Sequence, residues 1–275
     1  MKMFKKVAIV GVGLIGGSIA LAIKKNKLAQ EVVGTSRHTK NLLLAKKLGA
    51  IDKGSQDIDI IRGADLVIIA VPVGAVLKLA PEIAKIAGPD CIVSDVASTK
   101  QEIVTKLGRL FPYYVGAHPV AGSQKRGVFN SDPGIFNDSV CILTPTRYTD
   151  KKALSKIKKL WACLGAKTVT MPSSAHDKAL AFVSHLPHAV AFSLINTVPV
   201  KYLKFSSGGL RDTTRIAASD NEIWSSIFLS NRKAVLAAIG LIEKNLGQIK
   251  KAIASGDKAR LDQILKKAKT KRDTL

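Results

Sequence analysis

The sequence is short of cysteine, aromatic residues and negative charge. Its three cysteines, Cys91, Cys141 and Cys163, are odd in number and far apart. That spacing excludes a disulfide framework and shows no metal-binding pattern, and it fits a reducing cytoplasm. Aromatics make up 5% of the residues, too few for the stacking platforms that nucleic-acid binders interleave with basic groups. Acids are outnumbered, with 20 Asp and Glu against 43 Lys and Arg and a formal net charge of +23. The lysines are scattered along helical stretches as solvated faces, with no helix-turn-helix pattern. Nucleic acid is therefore not the expected partner, and the positive field favours anionic substrates and phosphorylated cofactors. No internal repeat and no low-complexity tract appears. The apolar run after the basic residues Lys5 and Lys6 mimics a signal peptide, but glycines break it and Lys24, Lys25 and Lys27 follow it. It reads as strand plus helix. No other run reads as long enough to span a bilayer, so no membrane association is expected.

What is present is organised around Lys5 to Ser18, KKVAIVGVGLIGGS. Val7 to Val10 are strand formers, and Gly11, Gly13 and Gly16 follow at G-x-G-x-x-G spacing. Leu14, Ile15, Ile19, Ala22 and Ile23 then recur at helical spacing. Glycines at a strand-to-helix turn, with a second strand at Glu31–Ser36, form the context of a dinucleotide-binding βαβ unit. Gly11 permits the tight turn, Gly13 lets a pyrophosphate approach the backbone, and Gly16 lets the helix pack on the strand. Leu14 and Ile15 open the helix, whose N-terminal N–H groups suit phosphate.

At the end of the second strand an NAD-binding fold usually carries an acid for the ribose 2′-hydroxyl. Ser36 and Arg37 stand there instead. A hydroxyl and a guanidinium suit a 2′-phosphate, so NADP is expected in preference to NAD, which stays possible. Asn41 to Gly49 and Val73 to Ala87 read as helices. The apolar strand beginning at Asp65 ends at Val71 and Pro72, at the edge where such sheets bind ligands. Further strands are expected at Cys91–Asp95, Tyr113–Ala117 and Ser139–Leu143. Beyond Thr144 come a helix over Asp150–Leu164, a strand over Ala166–Thr170, and helices to the end. Ala179 to Thr197 is apolar almost all round and carries His185 and His188, which places it in a core or a subunit interface. Amphipathic helices follow at Ile223–Ala254 and Lys258–Lys271. With 275 residues, two domains are expected: a Rossmann-type α/β domain over 1–147 and an all-α domain over 148–275.

Four further stretches stand out: Asp95-VASTK, Ala117-HPVAGSQKRG, Ser184-HLPHA and Gly208-GLRDTTRIA. Singly, each has a bland reading: a loop histidine, a satisfied core histidine, a surface arginine. In this order, with GVGLIGGS before them, they make a chain that resembles the prephenate/arogenate dehydrogenase family of tyrosine biosynthesis over its whole length. The resemblance implies a nicotinamide-binding N-terminal domain, a C-terminal domain that makes a homodimer, and an active site in the cleft between them. It implies oxidative decarboxylation of prephenate, or alternatively of arogenate. By the same resemblance His118 matches the catalytic histidine and Ser98 the serine that orients it. Ser123 matches a hydroxyl residue beside the substrate ring, His188 a substrate contact, and Arg215 the carboxylate-binding arginine of its own cleft or the partner's. Gly208 matches a nearby backbone contact. No metal is implied. One departure stands out: many prephenate-using members carry Glu where this chain has Gln124, paired at the site entrance with an acid that matches Asp177.

A β-hydroxyacid or imine reductase shares the two-domain plan, but such enzymes use a lysine on the first long helix of the second domain, where this chain has His185 and His188. A non-catalytic Rossmann module is the remaining alternative, and measurable turnover of prephenate would argue against it.

Overall fold

The computed structural model describes residues 2–121, 125 and 127–275. Eight strands form one sheet: β1 (Phe4–Val10), β2 (Ala29–Thr35), β3 (Lys53–Ser55), β4 (Leu66–Ile69), β5 (Ile92–Asp95), β6 (Tyr114–Val120), β7 (Val140–Leu143) and β8 (Lys167–Thr170). Their spatial order is β3-β2-β1-β4-β5-β6-β7-β8. All neighbours are parallel except β6 and β7. The order reverses between β1 and β4, which opens a ligand crevice at the carboxyl ends of these strands.

The helices explain why the central strands are apolar on both faces. They are α1 (Leu14–Lys25), α2 (Thr39–Lys47), α3 (Val73–Ile86), α4 (Gln101–Leu110) and α5 (Lys151–Cys163). Val7 and Ile9 of β1 join one core with Ile19 and Ile23 of α1 and Ile157, Leu160 and Trp161 of α5. Ala8 and Val10 join the opposite core with Val76 and Ile83 of α3 and Ile103 and Leu107 of α4. Each large side chain so buried contributes about 1.5–3 kcal/mol.

The remaining helices are α6 (Ser173–Leu180), α7 (Leu186–Thr197), α8 (Gly208–Thr214), α9 (Asn221–Ser230), α10 (Arg232–Ala254) and α11 (Lys258–Arg272). A π turn over Ala181–His185 joins α6 to α7. It stands just before Pro187, which has no N–H to give to the helix ladder.

The structure departs from the sequence reading in three places. The expected boundary at 147/148 falls too early, because α5 packs into the core of the first domain and β8 pairs with β7. The sheet domain runs to Thr170. The stretch expected as one helix over Ile223–Ala254 is two, α9 and α10, bent by 96°. The expectation that no later run could span a bilayer also fails, since the continuous helix Ser173–Thr197 is long and apolar enough to cross a membrane. Its buried polar residues are nonetheless bonded to the sheet domain, as described below.

The loop between β5 and α4 is fixed by a buried ion pair. The Asp95 carboxylate accepts hydrogen bonds from the Tyr114 hydroxyl at 2.6 Å and the Ala97 N–H at 2.9 Å, and it pairs with Lys100. Both charged side chains are fully buried. Burial and the Asp95 charge push the Tyr114 hydroxyl well above the ordinary tyrosine range, so it stays a donor. Breaking such a pair from one side leaves an uncompensated buried charge. Asp95→Ala should cost about 3–5 kcal/mol in urea unfolding, whereas Asp95→Ala with Lys100→Met should recover most of the loss. Equal losses in the single and double variants would show that the pair does not act as a unit.

Candidate active site

The glycine turn is built for a phosphate. Gly11 has φ +100°, and a Cβ there would meet the Ala70 carbonyl and Val71 Cγ1, each at 2.6 Å. The turn therefore lies against Val71 at the end of β4. A Cβ on Gly16 would come within 2.1 Å of the Gly11 carbonyl, so α1 packs on β1 only with glycine there. At Gly13 the added Cβ would meet nothing within 4 Å. The N-terminus of α1 has no side-chain cap and no acid in its first turn. Open space beside an uncapped helix start fits the pyrophosphate of a dinucleotide. Gly11, Gly13, Leu14, Ile15 and Gly16 would hold it.

Two further segments converge on that turn. The Thr35 carbonyl at the end of β2 accepts the N–H of Gly11 and of Val12, each at 3.0 Å, which sets Ser36 and Arg37 beside it. Ser36 Oγ accepts the His38 N–H at 3.2 Å and keeps its own hydrogen to donate. Arg37 is exposed, and its carbonyl accepts from Gln56 at 2.7 Å. The chain that leaves β6 returns over α1: Ser131 Oγ donates to the Leu14 carbonyl at 3.2 Å, and the Asp132 N–H donates to Ser18 Oγ at 2.9 Å. The segment after His118 thus braces the cofactor turn.

His118 sits near the end of β6, at the same carboxyl edge of the sheet as Gly11, Pro72 and Ser98. Its Nδ1 lies 2.8 Å from Nε2 of His176 in α6, and His176 Nδ1 lies 2.8 Å from Asp177 Oδ1. Asp177 Oδ1 also accepts the Lys100 N–H at 2.7 Å, and Oδ2 accepts the Gln101 N–H at 2.9 Å. A carboxylate of the helical domain therefore caps α4 of the sheet domain. Among the described residues no hydrogen bond joins Ser98 to His118. The ring's Nδ1 partner is His176.

Burial lowers the pKa of two of these histidines, His118 and His185. Burial, and then the Lys100 charge, hold His118 well below the ordinary histidine range. His185 is brought down to about 4, mainly by burial. Its Nδ1 lies 3.1 Å from the Asn231 amide, which also donates to the Asp177 carbonyl at 2.7 Å. Asp177 stays ionised: its bonds from His176 and the two backbone N–H groups outweigh burial and hold it below the ordinary carboxylate range.

A second group lies along the same long helix. His188 Nδ1 donates to the Ser184 carbonyl at 2.9 Å, and its ring stacks on Trp224 at 3.4 Å between centroids. Burial lowers its pKa, and the Arg215 charge adds to that, so Arg215 stands close to His188. Gly208 begins α8, exposed. Ser123 and Gln124 lie outside the described residues. Asp177, expected at the site entrance, is buried because α4 and His176 consume its oxygens. Among the described residues no three His, Cys, Asp or Glu side chains stand close enough to hold a metal ion.

Sequence reasoning passed over His176, Trp224 and Asn231. His176 directly before Asp177 at the start of the apolar helix was the visible signal. Asn231 gave none, since the α9–α10 corner that aims it was read as continuous helix.

A Rossmann-type sheet with an open phosphate turn and a buried neutral histidine at its carboxyl edge defines a dinucleotide-dependent enzyme. Residues 19–170 match the prephenate dehydrogenase nucleotide-binding domain and residues 172–267 the prephenate dehydrogenase dimerization domain. The chain belongs to the prephenate dehydrogenase family. It is 36% identical to the prephenate dehydrogenase of Bacillus subtilis, covering 100% of this chain and 77% of that one. It is 34% identical to the cyclohexadienyl dehydrogenase of Zymomonas mobilis, covering 94% and 91%. The structure matches the A. aeolicus prephenate dehydrogenase solved with hydroxyphenyl propionate and NAD+, with TM-score 0.93, 35% identity and 98% of each chain covered.

The buried rings predict the pH dependence of stability. His118 and His185 have folded-state values below the ordinary 6.5. Below that value the unfolded chain binds more protons than the folded one, so stability rises with pH. For His185 it is fully present above 6.5 and is lost as pH falls towards about 4. Asp177 adds a further loss below 3.8. The urea midpoint should drop between about pH 7 and about pH 5, and His185→Gln should flatten that drop. A wild-type midpoint that stays constant over this range would contradict neutral burial of the rings.

Proposed function

We infer that this chain is a prephenate dehydrogenase, which carries out the nicotinamide-dependent oxidative decarboxylation of prephenate to 4-hydroxyphenylpyruvate in tyrosine biosynthesis. The observation that carries the reading is His118, a buried neutral imidazole at the strand edge whose following segment braces the dinucleotide turn. The reaction removes a hydride from a hydroxyl-bearing ring carbon while a ring carboxylate leaves as CO2. The chemistry supplied by the bound cofactor is hydride acceptance. His118 accepts a hydrogen bond from the reacting hydroxyl and stabilises the carbonyl character that develops there. Ser98, at the same edge, is a candidate catalytic hydroxyl. Arg215 clamps a substrate carboxylate, and His188, Gly208 and Ser123 line the rest of the substrate. The helical domain forms a homodimer, for which exposed apolar residues such as Val183, Leu229 and Leu236 provide surface. A cytoplasmic location belongs to the same reading.

Steady-state turnover of prephenate tests this directly. His118→Asn should lower kcat by roughly two to four orders of magnitude with a modest change in KM, because help given only in the transition state is removed. Near-wild-type turnover in that variant would take His118 out of the role.

The finer proposal is a preference for NADP. Ser36 and Arg37 stand where an acid would bond a ribose diol and repel a 2′-phosphate. One guanidinium contact to that phosphate contributes roughly 1.5–3 kcal/mol, or about ten- to hundredfold in kcat/KM. Ser36→Asp with Arg37→Ala should reverse the preference. Equal use of NAD and NADP by the wild type would end the proposal.

A further inference from the structure

We propose that His176, backed by Asp177, is the positioning residue of His118: it fixes that ring in the Nδ1–H tautomer and leaves Nε2 as the lone pair that receives the substrate hydroxyl. The proposal rests on the prephenate reading for its catalytic half, and on hydrogen-bond chemistry alone for its tautomeric half.

The assignment runs outward from the carboxylate. Asp177 accepts two backbone N–H groups, from Lys100 and Gln101, and an ionised carboxylate can only accept. His176 Nδ1 must therefore donate to Asp177 Oδ1. Singly protonated on that nitrogen, His176 presents Nε2 as an acceptor, and the atom facing it is His118 Nδ1. That nitrogen must carry the hydrogen, so Nε2 of neutral His118 is bare. The charged and titratable groups around His118 agree with a neutral ring. Lys100 comes from the loop before α4, paired with Asp95, which Tyr114 also holds. His176 and Asp177 come from α6 and His185 from the π turn, and the Cys141 thiol on β7 is pushed up by burial and stays protonated.

The chain of bonds has a closed end. His176 is 0% exposed and Asp177 3%, and the carboxylate stops at the N-terminus of α4. Such an arrangement delivers no proton to water, and the reaction requires none to leave. The hydride goes to the cofactor, which is reduced. The bond from ring to carboxylate breaks, CO2 departs, and the electron pair left behind completes the aromatic ring. The hydroxyl proton is shared with His118 Nε2 in the transition state and returns to the phenol oxygen of the product. Meanwhile the imidazolium character of His118 is met by the His176 lone pair and the Asp177 charge behind it.

The test begins with imidazole nitrogen NMR on the folded wild-type protein without substrate. His118 should show a protonated Nδ1 and a bare Nε2, and the reverse tautomer would overturn the proposal. In kinetics, His176→Phe should lower kcat about a hundredfold with little change in KM, as loss of tautomer control does in other histidine-based sites. The acid limb of its kcat/KM profile should move, because His118 loses the partner of its Nδ1. His176→Gln, whose amide oxygen can still accept from Nδ1, should restore part of the rate and the position of that limb. A folded His176→Phe enzyme with wild-type kcat and an unmoved acid limb would overturn the proposal. Absence of prephenate turnover in the wild type would instead remove the functional reading, with the tautomer still decided by NMR.

Discussion

The arrangement depends on one carboxylate. Asp177 belongs to the helical domain, yet its two oxygens accept the first N–H groups of α4 in the sheet domain. Its backbone carbonyl receives the Asn231 amide from the corner between α9 and α10. Hydrogen bonds to a charged acceptor contribute roughly 1.5–3 kcal/mol each, and the start of a helix favours negative charge. The same group that joins the domains therefore anchors His176, and through it His118. Domain placement and the orientation of the histidine are one constraint. A shift of α6 that spoiled the cap would also release the ring.

The ion pair of Asp95 and Lys100 plays a complementary part on the sheet side. It folds the loop after β5 back on itself, so the Lys100 N–H points to Asp177 while its ammonium stays with Asp95. A buried cation near His118 works against imidazolium. Preorganised charge of this kind requires no rearrangement when the reaction occurs.

Much of this was legible in the sequence, and the reasons are local. Gly11, Gly13 and Gly16 announce their roles through spacing alone, and the Cβ clearances agree with each role. Apolar β4, buried throughout, read as an inner parallel strand. β8 was seen as a strand but assigned to the wrong domain, because pairing with β7 across α5 is a long-range contact that no local pattern encodes. The three-residue β3, KGS, has no apolar signature at all. The helix Ser173–Thr197 was recognised by its apolar run, yet its first turn was passed over. There His176 and Asp177 stand side by side, and only the approach of β6 and α4 gives them their partners. Asp177 was expected at the site entrance by resemblance, and its burial reflects the unmet N–H groups of α4, a demand made by another part of the chain.

The net charge of +23 acts on a different scale from these contacts. Lys100 is the one buried lysine among the described residues, and the rest of the excess lies on partly or fully exposed faces, where salt screens it over about 8–10 Å. Such a field raises the encounter rate of any anion, including a dianionic substrate and a phosphorylated cofactor, without telling one from another. Selection has to come from groups that are partly desolvated and fixed. On the proposed reading, at the cofactor end these are Ser36 and the uncapped start of α1. On the same reading, at the substrate end they are His118, buried against His176, and His188, held against Trp224 beside the Arg215 charge.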